Sequence, residues 1–164
     1  MSHVSQCTTV YRSLDDIEAA AKRLGGELIR GKNHITWFGK FVDDSTQWRS
    51  MFSAEDVARI DKMSKEKRTK AITDMMGKCH HAIKFKGINY EVGVWENEDG
   101  TFNLRFDGYD GALNRKMGGY GGDAFSQSYT IEATKRAARR KGWRTIEKPV
   151  ASNGSVELEV LVRR

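Results

Sequence analysis

Residues 80–107 read His80-His81-Ala82-Ile83-Lys84-Phe85-Lys86-Gly87-Ile88-Asn89-Tyr90-Glu91-Val92-Gly93-Val94-Trp95-Glu96-Asn97-Glu98-Asp99-Gly100-Thr101-Phe102-Asn103-Leu104-Arg105-Phe106-Asp107. Ala82, Ile83 and Phe85 open the stretch; Ile88, Tyr90, Val92 and Val94, then Phe102, Leu104 and Phe106, place an apolar side chain at every second position. That is the period of a strand with one buried face. The Asp99-Gly100 step between the last two runs suits a tight hairpin. A three-stranded antiparallel meander is predicted, and its apolar face requires helices to cover it.

Both flanks supply helices. Downstream, Gly108 to Gly122 reads as a loop with one helical turn around Ala112 to Lys116. Asp123 then caps a helix whose Phe125, Tyr129, Ala133 and Ala137 recur at intervals of four, ending at Gly142. Arg144 to Ala151 and Ser155 to Val162 form a closing hairpin across Ser152-Asn153-Gly154. Upstream, His3 to Arg12 reads as a strand. Ser13 and Asp16 follow as a capping box, and Ile17, Ala20, Ala21 and Leu24 form one helical face stopped by Gly25-Gly26. Glu27 to Arg30 and Ile35 to Val42 read as two strands joined through Gly31 to His34.

From Asp43 to Lys78 the pattern is helical and charged. Ser53 with Asp56 is a capping box, and Phe52 with Val57 a hydrophobic staple beside it. Val57, Ile60 and Met63 make one stripe and Ala71, Ile72, Met75 and Met76 a second, ending at Gly77. The expected architecture is a single α+β domain over residues 1–164, a largely antiparallel sheet with helices on one face. Within that class the expectation is ferredoxin-like split β-α-β halves, carrying a helical-hairpin insertion at residues 43–78.

The chain of 164 residues carries 28 Lys plus Arg, 22 Asp plus Glu and two Cys, with 38% hydrophobic and 30% charged residues. This excludes wholesale disorder and a disulfide-stapled miniprotein. No stretch approaches the roughly 20 apolar residues of a membrane helix, and the start lacks the apolar run of a secretory signal. A cytoplasmic, reducing setting with unpaired Cys7 and Cys79 is expected. The net charge is +6, and Lys135, Arg136, Arg139, Arg140, Lys141 and Arg144 equal all of it without an intervening acid.

The start Met1-Ser2-His3-Val4-Ser5 with the helix from Ser13 to Ala20, the middle Tyr90-Glu91-Val92-Gly93-Val94-Trp95, and the end also carry a resemblance. In that end, Tyr129 heads an Ala-rich helix leading to Lys141-Gly142-Trp143 and to Asn153-Gly154-Ser155-Val156-Glu157-Leu158. Together they resemble the hypothetical chloroplast open reading frame family, a small domain of unknown function in plastids and cyanobacteria with relatives in tailed phages. The family brings no catalytic residues. The insert and the Gly-rich loop depart from its usual compact length. The resemblance therefore implies an accessory protein of phage or bacterial origin, placed in the host cytoplasm if phage-encoded, rather than a photosynthetic one.

Several groups are candidate sites. On a helix, Lys135 with Arg139 and Arg136 with Arg140 form two charged rows that suit phosphates or an acidic partner, although cations in a last turn also complement the helix dipole. Lys62, Lys65, Lys67 and Arg68 give the insert a basic side. Gly118-Gly119-Tyr120-Gly121-Gly122 precedes a helix but lacks the Lys-Ser or Lys-Thr step of a nucleotide loop, and reads as a mobile edge. His3, Cys7, Cys79 and His81 could make a two-Cys, two-His tetrahedron from neighbouring strands, without the close Cys spacing of structural zinc sites. Asp107, Asp110 and Glu91 near His81 are the acid-rich neighbourhood, and Asp-Gly-Tyr-Asp-Gly is also turn chemistry.

The leading expectation is a non-enzymatic accessory or regulatory protein, phage-encoded, that binds a host or phage protein or nucleic acid through the basic helix and the inserted hairpin. Direct DNA or RNA binding is one alternative, and a small metal-dependent enzyme using the Asp-rich loop another. No cofactor and no membrane partner are expected, and a free sheet edge or the insert would support a homodimer.

Overall fold

The computed structural model describes residues 4–7, 9–37 and 47–162. In chain order the elements are β1 (Val4–Gln6), α1 (Leu14–Arg23), β2 (Gly26–Arg30), a 3-10 turn (Gln47–Ser50), α2 (Ala54–Asp61) and α3 (Lys65–Gly77). Then come β3 (His81–Phe85), β4 (Glu91–Glu96), β5 (Phe102–Asp107), α4 (Gly111–Met117), α5 (Asp123–Arg140), β6 (Arg144–Glu147) and β7 (Leu158–Leu161). The protein is α+β: β1 to β5 form one antiparallel sheet in the order β1-β5-β4-β3-β2.

The meander forms as its alternation predicts, with Ile83 opposite Val92 and Val94 opposite Leu104. These side chains and Phe106 point to one face, where Ile17, Ala20 and Ala21 of α1, Leu113 and Met117 of α4, and Phe125 and Tyr129 of α5 bury them. Each such large apolar side chain removed from water contributes about 1.5–3 kcal/mol, so this layer carries most of the fold. The Ser13 cap also forms, its Oγ accepting the Asp16 N–H at 3.2 Å. Asp16 does not close the box, because its carboxylate pairs with Arg136.

The opposite sheet face carries the insertion. Val4, paired with Asp107 and so turned away from Phe106, packs with Trp48, Ile60, Ile72 and Met76. Two consecutive helices with their own small core are what the two stripes require. Ser53 caps α2 through the Asp56 N–H at 3.1 Å, and Phe52 and Val57 pack on the same cluster.

Four expectations are corrected. Glu27 to Arg30 does not pair with Ile35 onward; β2 pairs with β3, from Gly26 opposite Phe85 to Arg30 opposite His81. Ile35 to Trp37 form no strand. The Ile35 N–H goes to Gly77 O at 2.8 Å and the Thr36 N–H to the Glu91 carboxylate at 2.7 Å, while positions 38–42 lie outside the described residues. The ferredoxin-like halves do not close into one sheet: β1 and β2 flank three strands instead of one, and β6 and β7 pair only with each other. On α5 the buried positions are Phe125, Ser128, Tyr129, Ile131 and Ala138, leaving Ala137 exposed.

The Gly-rich stretch is a built turn. Gly118 ends α4, with its N–H on Asn114 O at 3.0 Å, and Gly122, not Asp123, occupies the cap position of α5. Gly122 has φ +70°, and a Cβ there would run into Cys7 Sγ, so close packing on β1 and backbone handedness both require glycine.

Candidate functional site: the cationic end of α5

The six cations of residues 135–144 divide into two kinds. Lys135 and Arg136 face inward. Lys135 Nζ donates to Glu147 at 2.7 Å and Glu132 at 3.2 Å, and Arg23 pairs with the same two carboxylates. Arg23 and Lys135 together hold the Glu147 carboxyl down at about 2. Arg136 reaches α1, bonding Asp16 at 2.9 Å, Asp15 at 3.2 Å and Ser13 Oγ at 3.0 Å. These two cations therefore tie α5 to α1 and β6.

Arg139, Arg140, Lys141 and Arg144 are exposed and pair with no carboxylate among the described residues. Arg139 Nε donates to the carbonyl of Lys135, and Lys141 Nζ sits 4.6 Å from the centroid of the Trp143 ring. The last α5 turn also presents the negative end of the helix dipole, which these charges offset in part. A shallow groove of about 490 Å³ runs beside them, lined by Asp16, Ala19, Glu132, Arg136, Arg139 and Arg140. The result is a compact cap of four cations.

Lys62, Lys65 and Lys67 are exposed on the insertion, and Arg68 is half-buried. The insertion covers the sheet face opposite α1 and α5, so its charges and the α5 cap form two separate surfaces.

The remaining candidates are not brought together. Cys7 lies in the core beneath the helices, whereas Cys79 packs with Ile35 and Ala82 on the other sheet face; His81 leans on Phe102, and His3 is outside the described residues. Both thiols are free, and burial pushes each up to about 11. Among the described residues no three His, Cys, Asp or Glu side chains are placed to hold a metal ion. The acid-rich neighbourhood is committed to structure. Glu91 accepts both Lys32 Nζ at 2.6 Å and the Thr36 N–H; Asp107 accepts the Tyr109 N–H at 3.0 Å, and Asp110 caps α4 through Leu113 at 2.7 Å.

Sequence spacing alone did not reveal Asp15, Asp16, Glu132 and Glu147 as the partners that neutralise a third of the basic run. Only Glu132 lies within helical reach of it; the other three come from elements that the fold brings alongside.

Compared with protein-family models, curated proteins and solved structures, the chain matches none. No helix among the described residues is long and apolar enough to cross a membrane.

Proposed function

We propose that this protein is a non-enzymatic accessory protein that binds an anionic macromolecule through Arg139, Arg140, Lys141 and Arg144. The observation that carries this reading is the exposure of four cations, close together in sequence, without carboxylate partners among the described residues. Solvated surface cations are usually interspersed with acids, and an unmatched cluster attracts polyanions over about a Debye length, roughly 10 Å at 0.1 M salt. The commitment of Glu91, Asp107 and Asp110 to structural bonds supports binding over catalysis.

The test is fluorescence anisotropy with a labelled single-stranded oligonucleotide and with labelled polyglutamate, each at two salt concentrations. The reading requires saturable binding to at least one of them that weakens with salt and is lost in Arg139→Glu plus Arg140→Glu. Salt-independent binding, or binding untouched by the double variant, refutes it.

A further inference from the structure

On the sheet face away from α1 and α5, a shallow open groove of about 340 Å³ is lined by Asn33, His34, Lys78, Cys79, His80 and Trp95. Its size falls in the lower range of small-molecule sites. Four of the lining residues bring N–H donors that no acceptor among the described residues takes. Lys78, just past α3, is exposed and has no ion pair among the described residues. The Asn33 side-chain amide is likewise unpartnered, its backbone oxygen alone being used, by the Cys79 N–H at 3.1 Å. His80 Nδ1 accepts the Glu96 N–H at 2.8 Å, which puts the proton of the neutral ring on Nε2. Trp95 Nε1 is buried without a partner. His34 differs, since both its ring nitrogens lie against backbone oxygens, of Ile35 and Asp74.

The charge around it is mixed. The described lining residues bring no carboxylate, but Asp74 Oδ1 stands 3.5 Å from His34 Nε2 and Asp56 lies within electrostatic range of Lys78, while the Glu91 carboxylate on this sheet face is held by Lys32 and the Thr36 N–H. Arg105 lies 4.9 Å over the Trp95 ring, its Nε buried and unpartnered, and burial alone lowers the pKa of its guanidinium. Among the described residues no carboxylate pairs with it; a desolvated guanidinium is costly without a counter-charge, and an anion nearby would offset that cost. Cys79 adds no nucleophile: its thiol donates to Lys32 O at 3.0 Å.

We infer that this groove binds the oxyanion of a small ligand, a phosphate or a carboxylate, with Lys78, His80 and Asn33 as direct donors, Trp95 as the wall and Arg105 as a second positive charge behind the indole. The site is independent of the α5 cap. Its test is NMR on the full ¹⁵N-labelled chain, following the Trp95 indole N–H during separate titrations with inorganic phosphate, succinate and neutral mannitol. A saturable shift with a dissociation constant around 1 mM is expected for at least one anion. Phosphate alone assigns a phosphoryl ligand and succinate alone a carboxylate. Lys78→Gln and His80→Gln, both at exposed positions, should each weaken binding about tenfold, while Lys86→Gln, at an exposed position outside both sites, should leave it unchanged. The inference is overturned by no saturable shift with either anion up to about 20 mM, by an equal shift with mannitol, or by full affinity in both groove variants.

Discussion

Replacing Glu147 by Gln tests whether charge clasps the C-terminal hairpin to the body. The Glu147 carboxylate receives Arg23 from α1 and Lys135 from α5, so one substitution loosens three elements at once. A carboxyl drawn from 4.5 to about 2 corresponds, at 1.36 kcal/mol per pH unit, to about 3 kcal/mol for a fully shielded group. The side chain remains 27% exposed, and solvent screening reduces this to about 1–2 kcal/mol. For a chain of this size that is a Tm lower by about 3–6 °C at pH 7. Because the folded carboxyl titrates below the unfolded one, its stabilisation is complete above about pH 4.5 and is lost as pH falls toward 2. The wild-type Tm should fall more steeply across that window than the Tm of Glu147→Gln. Hydrogen exchange at the Lys148 amide, bonded to Glu157 O at 2.9 Å, should quicken in the variant. An unchanged Tm at pH 7 together with parallel pH profiles would refute the clasp.

Three further outcomes follow from the same contacts. Arg136→Ala should cost about 1–2 kcal/mol in denaturant unfolding, because it leaves the buried Asp16 without its partner, whereas Arg140→Ala should stay within about 0.5 kcal/mol of wild type. Ile72→Ala, in the fully buried core of the insertion, should cost about 2–5 kcal/mol in the same measurement. Cys7 and Cys79 should label with a thiol reagent at pH 8 only after denaturant is added, since both are buried and their thiols sit near 11.

The meander was legible because its alternation is local, and the α1 and α2 starts because Ser13 and Ser53 signal within one helical turn. The pairing of β2 with β3 was not. It joins Gly26 to Phe85 across the whole insertion, and nothing near Glu27 distinguishes that partner from the closer Ile35. On α5 a strict interval of four drifts off the 3.6-residue turn, which is how Ala138 rather than Ala137 comes to be buried. The basic run is plain in the sequence as charge but not as surface, since the acids that occupy Lys135 and Arg136 sit mostly on other elements. The groove beside Trp95 has a trace in the sequence: Trp95 and Arg105 fall on the phase opposite to Val94 and Leu104, so the central strands carry large side chains on both faces.

The proposed four-cation cap at the end of α5 is read out by the salt dependence of affinity for a single-stranded oligonucleotide. Four phosphate contacts predict a slope of log affinity against log salt near about −3, falling to about −1.5 in Arg139→Gln plus Arg140→Gln. Lys62→Gln plus Lys67→Gln, on the opposite sheet face, should leave the slope unchanged. A slope near zero with both the oligonucleotide and polyglutamate, or one that responds to the insertion variant and not to the α5 variant, would rule out the cap.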